Sequence, residues 1–279
     1  RNIYIIFLTM TNRASKYDKK TPREHVLTRP DTYIGDIELS TEEMDIYDEE
    51  NNRIITKQIK YVPGLFKIFD EIIVNARDAS ENDPSCDTIK IEYNKEDNYI
   101  MVYNNGQLGI PVEEHPEHKT LVPSMIFGHL LTSSNYNDKE ERTTGGRNGY
   151  GSKLTNIFSN EFEVEIGDHN NGKKFKQTWT ENMSNEGKAK ITKYSKSNSY
   201  VQVKFYPDLK RFGLDTLDND HYNLFYRRAI DLAGTSAGKI KIHFNGKKID
   251  CNNFKKYISY YYPDETVYYE ETERWKVGC

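Results

Sequence analysis

Pro63-Gly-Leu-Phe-Lys-Ile-Phe-Asp-Glu-Ile-Ile-Val-Asn-Ala76 decides how the rest of the chain is read. Leu65, Phe69, Ile72 and Ala76 recur at helical spacing, with Ile68 and Ile73 flanking them, and predict a helix over about 63–80 that Pro84 closes. On a wheel of about 100° per residue these four form an apolar arc, and Glu71 and Asn75 sit side by side along its edge. A carboxylate there is placed to polarise a water. An amide oxygen one turn away can ligate Mg2+, which prefers oxygen donors and keeps several of its waters. On these residues alone the plainer reading, two surface polar residues on an amphipathic helix, stays open.

Working outward, runs at 88–93 and 99–103, split by a polar Asn-Lys-Glu-Asp-Asn, read as a hairpin. A glycine-bearing loop (105–109), a helix near 124–131, a long polar segment and a second helix at 150–158 follow. Strand-like runs then come at 162–166, 174–180, 188–194 and 200–206, a helix at about 218–233, and a strand at 239–244 running into the Asn245-Gly246 turn. Upstream, residues 11–60 carry a basic head (Arg13, Lys16, Lys19, Lys20) and an acidic stretch from Glu38 to Glu50, and read as an arm plus irregular strands. Helices early and consecutive strands later predict an α+β, two-layer sandwich, a mixed β-sheet covered on one face by helices.

Composition narrows the function classes. Of 279 residues, 36% are hydrophobic and 29% charged, which suits a globular protein, and no apolar run is long enough to span a bilayer. The longest, Ile3 to Met10, is about half that length and has no small-residue cleavage site. Met10 reads as a native start, which leaves residues 1–9 out of the fold. Cys86, Cys251 and Cys279 have no paired spacing, which argues against a disulfide framework or a zinc site and for a reducing compartment. With a net charge of −4, any grip on nucleic acid has to be local or lie elsewhere. Lys239, Lys241, Lys247, Lys248, Lys255 and Lys256 are candidates for it, but such spacing also describes a solvated face. His115 and His118 lack partners for a metal site.

Three further stretches carry chemistry. Asn104-Asn105-Gly106-Gln107-Leu108-Gly109-Ile110-Pro111 follows a strand, and its glycines let backbone approach a ligand, though Asn-Gly after a strand is also an ordinary turn. Leu131-Thr132-Ser133-Ser134-Asn135-Tyr136 gathers small hydrogen-bonding side chains able to hold a ribose or phosphate, though read alone it is a helix C-terminus with turn residues. Thr144-Gly145-Gly146-Arg147-Asn148-Gly149-Tyr150-Gly151-Ser152-Lys153 opens a helix. Its glycines free N–H groups for a nest, the helix adds its dipole, and Arg147 and Lys153 add full charges. That reads as a phosphate cradle, though not with the spacing of a Walker A loop, and a flexible glycine loop before a helix stays open as the plainer reading.

In this order, the features resemble the ATPase domain of eukaryotic-type DNA topoisomerase II, of the ATPase group shared with gyrase, the MutL mismatch-repair protein, a heat-shock chaperone and histidine kinases. The likeness runs from Thr21 nearly to the end, and is most specific in Ile126–Tyr136 and Thr144–Lys153. It implies the Bergerat-type ATP-binding fold, with Glu71 as general base for the attacking water and Asn75 as the Mg2+ ligand. It also implies that Asn104 meets the adenine, that Ser133, Ser134 and Asn135 hold ribose and phosphate, and that Gly146, Arg147, Asn148, Gly149, Tyr150, Gly151, Ser152 and Lys153 wrap the triphosphate. The implied organisation is an N-terminal arm (1–26), an ATPase domain (27–264) and the start of a transducer domain (265–279). The implied setting is a nuclear enzyme whose ATPase domains dimerise on ATP, exchange the arm around Tyr17, and drive passage of duplex DNA. The alternative is a nucleotide-operated clamp of the chaperone or mismatch-repair kind. A phosphotransferring kinase is disfavoured, because it has no need of a water-activating base at Glu71.

Two departures stand out. Relatives usually read Asn-Asn-Gly-Lys-Gly-Ile-Pro, one residue shorter than the stretch with Gln107-Leu108 between the glycines. Val201 stands where relatives have a threonine that helps bind adenine; valine cannot donate that hydrogen bond, so reduced adenine affinity is expected. Relatives also bring a lysine from the transducer domain to the γ-phosphate, so weak turnover is expected of these 279 residues alone.

Overall fold

Residues 17–130, 149–236, 238–263, 265, 267–272 and 275–278 are described by a computed structural model. Two short helices, α1 (Pro22–Thr28) and α2 (Pro30–Tyr33), precede a hairpin of β1 (Ser40–Asp48) and β2 (Arg53–Tyr61), and then the long helix α3 (Pro63–Asn82). There follow β3 (Thr88–Asn94), β4 (Tyr99–Gly106), α4 (Val122–Gly128), α5 (Gly151–Ile157), β5 (Ser159–Asp168), β6 (Lys173–Thr180), β7 (Asn185–Glu186), β8 (Lys190–Lys193) and β9 (Ser199–Pro207). The chain continues through α6 (Asn219–Thr235), β10 (Lys241–Phe244), β11 (Lys247–Lys248), α7 (Phe254–Tyr261), β12 (Tyr269–Glu271) and β13 (Lys276–Gly278).

The main sheet has nine strands in the order β11-β10-β3-β4-β9-β5-β6-β7, with β8 also on β6. β10 lies parallel to β3 while the other named pairs run antiparallel, so the sheet is mixed. Burial alternates along the strands, as a pleat with one covered face requires: Ile89, Ile91 and Tyr93 on β3, Phe162, Val164 and Ile166 on β5. Helices pack on that face, where Phe69 of α3 stacks on Phe225 of α6 at 4.1 Å between ring centroids. The opposite face is polar. There Lys174 pairs with Glu165 and Lys176 with Glu163, and Lys204 sits over the Tyr99 ring. This is the expected α+β two-layer sandwich. No helix among the described residues is long and apolar enough to cross a membrane.

Several elements differ from the sequence reading. The stretch read as irregular strands is a full-length hairpin, β1 paired with β2 from Ser40↔Tyr61 to Asp48↔Arg53. The strand read at 188–194 shrinks to the exposed β8, and the helix read at 124–131 begins two residues earlier, at Val122. The strand read at 239–244 begins at Lys241, and α7 was not anticipated. The Asn245-Gly246 turn is as read: both residues have positive φ (46° and 78°), the requirement of a tight two-residue hairpin.

α3 is fixed at its N-terminal end and through its first half. Gly64 N–H donates to the Asp36 carbonyl at 2.7 Å and Val62 N–H to Nε2 of the buried His221 at 3.0 Å. Gly64 fits closely there, since a Cβ would lie 3.0 Å from that same Asp36 oxygen. Farther along, Asp70 pairs with Arg228 of α6 at 2.7 Å, and Thr155 of α5 donates to the Ile68 carbonyl at 2.8 Å. The edge of α3 is therefore held in a set position relative to α5 and the sheet.

Candidate active site

A cleft of about 1050 Å³ opens between α3, α5 and the covered face of β4 and β9. Leu65, Ile68, Phe69, Ile72, Ile73 and Ala76 are buried as the periodicity requires, and Glu71 and Asn75 emerge on the cleft side, the first half-buried and the second exposed. Glu71 Oε1 pairs with Lys67 one turn back at 2.5 Å, and Lys67 also lines the cleft. α5 begins at Gly151 directly against this carboxylate, and any Cβ there would collide with the Glu71 oxygen. The base candidate and the start of the glycine-led helix thus share one end of the cleft.

Of the ten-residue glycine stretch, Gly149, Tyr150, Gly151, Ser152 and Lys153 line the cleft. Gly149 takes φ +64°, a left-handed conformation that suits glycine. Lys153 is 2% exposed, and burial, which disfavours its charged form, pulls its ammonium down to about 8. Gly146, Arg147 and Asn148, together with Ser133, Ser134 and Asn135, lie outside the described residues.

The other end of the cleft is built from β4 and the turn after it. Asn104 lines the cleft, and its Nδ2 donates inward to the Asn105 carbonyl (3.3 Å) and the Cys86 sulfur (3.9 Å). Its Oδ1 is not engaged among the described residues. Asn105 is spent on structure, accepting from Thr88 N–H at 2.9 Å and Asp87 N–H at 3.1 Å. Val201 sits opposite Asn104 in the β4–β9 register and lines the cleft. Burial pushes the Cys86 thiol up to about 11, so it stays protonated and is a poor nucleophile.

Several lining residues were not singled out from sequence. Tyr33 lines the cleft with its ring 6.3 Å from that of Tyr150, and its hydroxyl hydrogen-bonds His25 Nδ1 at 2.9 Å, which connects the N-terminal helices to the site. His115, discounted above only as a metal ligand, also lines the cleft. Asp83, at the end of α3, is buried. Burial would raise its carboxyl, but the Ser85 hydroxyl and the N–H groups of Leu108, Ser85 and Gln107 hold it below the usual range. Two signals were available: Asp83 precedes Pro84, a common turn opener, and it follows a helix carrying site residues.

No group of three or more His, Cys, Asp or Glu among the described residues could hold a metal by itself. The exposed Asn75 amide in the cleft fits a cation that takes most of its oxygens from a bound phosphate chain and water, as Mg2+ does.

Residues 61–197 match the family model of histidine kinase-, DNA gyrase B-, and HSP90-like ATPases. The chain is 48% identical over 272 residues to DNA topoisomerase 2 of Drosophila melanogaster, which covers 94% of this chain and 19% of that protein. It is 50% identical over 248 residues to that of Saccharomyces cerevisiae, covering 89% of this chain and 17% of that protein. It therefore spans about a fifth of the length of the curated relatives it matches. Among solved structures, it is similar to the ATPase region of Saccharomyces cerevisiae topoisomerase II (TM-score 0.91, 48% identity, 95% of this chain and 71% of that one). It is also similar to the ATPase and transducer domains of DNA topoisomerase II from Balamuthia mandrillaris (TM-score 0.90, 43% identity, 95% of this chain and 68% of that one).

Proposed function

Because the chain belongs to the histidine kinase-, DNA gyrase B- and HSP90-like ATPases, and within them to the ATPase region of topoisomerase II, we propose that its cleft binds ATP with Mg2+ and hydrolyses it on Glu71. The observation that carries this reading is the abutment of the Glu71 carboxylate and the Gly151 start of α5 at one end of the cleft. A helix start offers N–H groups to phosphate oxygens, and Lys153 adds a cation. Asn75 would hold Mg2+, which neutralises phosphate charge when bound. At the other end, the Oδ1 of Asn104, unengaged among the described residues, would accept from the 6-amino group of adenine, since its Nδ2 is engaged within the fold.

In hydrolysis, Glu71 takes a proton from water as the water oxygen bonds to the γ-phosphorus. The bond from that phosphorus to the bridging oxygen breaks, and ADP leaves with the electron pair. Ser133, Ser134, Asn135, Gly146, Arg147 and Asn148 are proposed to complete the ribose and phosphate contacts. At the level of the whole protein the reading is a nuclear type II topoisomerase. In it, ATP dimerises the ATPase domains with the arm around Tyr17 exchanged, and hydrolysis drives passage of duplex DNA. Residues 1–26, 27–264 and 265–279 would serve as arm, ATPase domain and start of a transducer domain.

Two smaller effects test the ligand contacts. Asn75→Ala is expected to weaken ATP binding in Mg2+ and to leave the much weaker binding in EDTA unchanged, as read by calorimetric titration in both buffers. An equal loss in each would remove Asn75 from the metal. Val201→Thr restores a donor opposite Asn104 and is expected to tighten ATP by roughly three- to tenfold, the scale of one added hydrogen bond. GTP serves as the comparison, and an affinity gain shared by both nucleotides would argue against a base contact.

A further inference from the structure

The turn between β4 and the cleft's far end, Gly106 to Gly109, is held from both sides. On its N–H side, Gln107 and Leu108 both donate to Asp83 Oδ2, at 2.7 and 2.8 Å, and Gln107 N–H also reaches the Ser85 hydroxyl at 2.8 Å. On its carbonyl side, the Gln107 oxygen accepts from Asn170 Nδ2 at 2.9 Å and from the Ser199 hydroxyl at 3.3 Å, and the Leu108 oxygen from Asn170 at 3.4 Å. The glycines fit this clamp closely: a Cβ on Gly106 would lie 2.6 Å from Asp83 Oδ2, and one on Gly109, at φ +58°, 2.8 Å from Ser199 Cβ. The extra residue relative to the familiar shorter turn is therefore built in, with its polar groups satisfied.

What this clamp presents is Leu108. Its side chain is 62% exposed, and of the large hydrophobic side chains exposed among the described residues, Leu108 is the one that lines the cleft. A single exposed leucine is ordinary on a surface. A leucine fixed at a cleft mouth by a buried carboxylate on one side and an amide on the other has a defined place, and the entropy of ordering its backbone is already spent in the fold. Asp83 caps the C-terminal end of α3, roughly 18 Å along the helix from Glu71 in its middle at 1.5 Å per residue, so the turn faces the end of a nucleotide remote from its phosphates. A flat apolar ring suits an isobutyl group there.

We propose that Leu108 is a substrate-contacting residue, an apolar shelf against the purine face, and that Asp83 and Asn170 are positioning residues that hold it in place. This rests on the nucleotide reading above. The test titrates the 279-residue chain with ATP and, separately, with tripolyphosphate, which lacks the base, both in Mg2+. Leu108→Ala is expected to weaken ATP by roughly three- to tenfold, the scale of re-exposing about half of a leucine side chain. Tripolyphosphate is expected to be unaffected and Leu108→Met to restore ATP affinity. Asn170→Ala, in an exposed loop, should show the same selective loss, and Asp83→Asn a larger one. Unchanged ATP affinity in Leu108→Ala, or an equal loss for tripolyphosphate, overturns the shelf while leaving the nucleotide site intact. A wild-type chain that binds neither ligand overturns the nucleotide reading itself.

Discussion

Glu71→Gln is expected to lower steady-state phosphate release by on the order of 10²-fold or more while leaving ATP affinity roughly intact, the pattern of a lost general base. Glutamine keeps the shape of the side chain and its contact with Gly151, but its amide cannot take a proton from water. Among the described residues the charged partner of Glu71 is Lys67 at 2.5 Å. Losing the carboxylate frees that ammonium, which can then attract phosphate and strengthen binding. Affinity that is unchanged or improved beside collapsed turnover is therefore the expected signature. Turnover is read as inorganic phosphate release under saturating ATP, and binding by titration with a nonhydrolysable analogue. A variant that still turns over at the wild-type rate removes Glu71 from the chemistry.

The parts of this site that sequence could locate are those whose chemistry is local. Helical spacing placed Glu71 and Asn75 on the edge of α3, because an amphipathic helix on a sheet has to turn one face inward. The glycines before Lys153 announced a helix start with open N–H groups. The hairpin β1–β2 was hidden because its strands show little alternation: in β1 only Ile46 and Tyr47 are buried, and its outward positions are the acidic residues that looked like a solvated tract. α7 was hidden by composition. Phe254-Lys-Lys-Tyr-Ile-Ser-Tyr-Tyr261 is rich in aromatics that favour strands, and it buries only Ile258 and Tyr260. The way the turn at Gly106 to Gly109 is clamped was beyond local reading, although Asp83-Pro84 and the extra residue at Gln107-Leu108 marked its parts. Asp83 and Asn170 meet that turn only after the sheet has formed, and a lone aspartate and a lone asparagine carry no periodic signal. One departure noted in sequence, the extra residue at Gln107-Leu108, pointed to the right place without saying whether the turn would be slack or held.

Lys153 carries the second large effect, and its pH dependence separates it from a structural lysine. Burial lowers its ammonium to about 8, against about 10.4 in an unfolded chain. Between those two values the unfolded chain binds more protons than the folded one, so the ligand-free protein gains stability as pH rises through that window; below about pH 8 both states are protonated and the burial penalty is constant. Phosphate oxygens reverse the preference, because they favour the charged form. Above pH 8 the neutral amine must therefore take up a proton when ATP binds, and affinity is expected to fall by up to about tenfold per pH unit there and to level off below. Lys153→Met keeps the buried hydrocarbon and removes the charge. It is expected to weaken ATP by roughly 10- to 100-fold at pH 7, the scale of a charge-assisted hydrogen bond, and to flatten the dependence above pH 8. Titrations at pH 7 in buffers of different ionisation enthalpy should show little proton uptake by the wild type, and at pH 9 close to one proton. Uptake that persists at pH 9 in Lys153→Met would assign the titration to another group, and unchanged affinity at pH 7 would take Lys153 away from the phosphates.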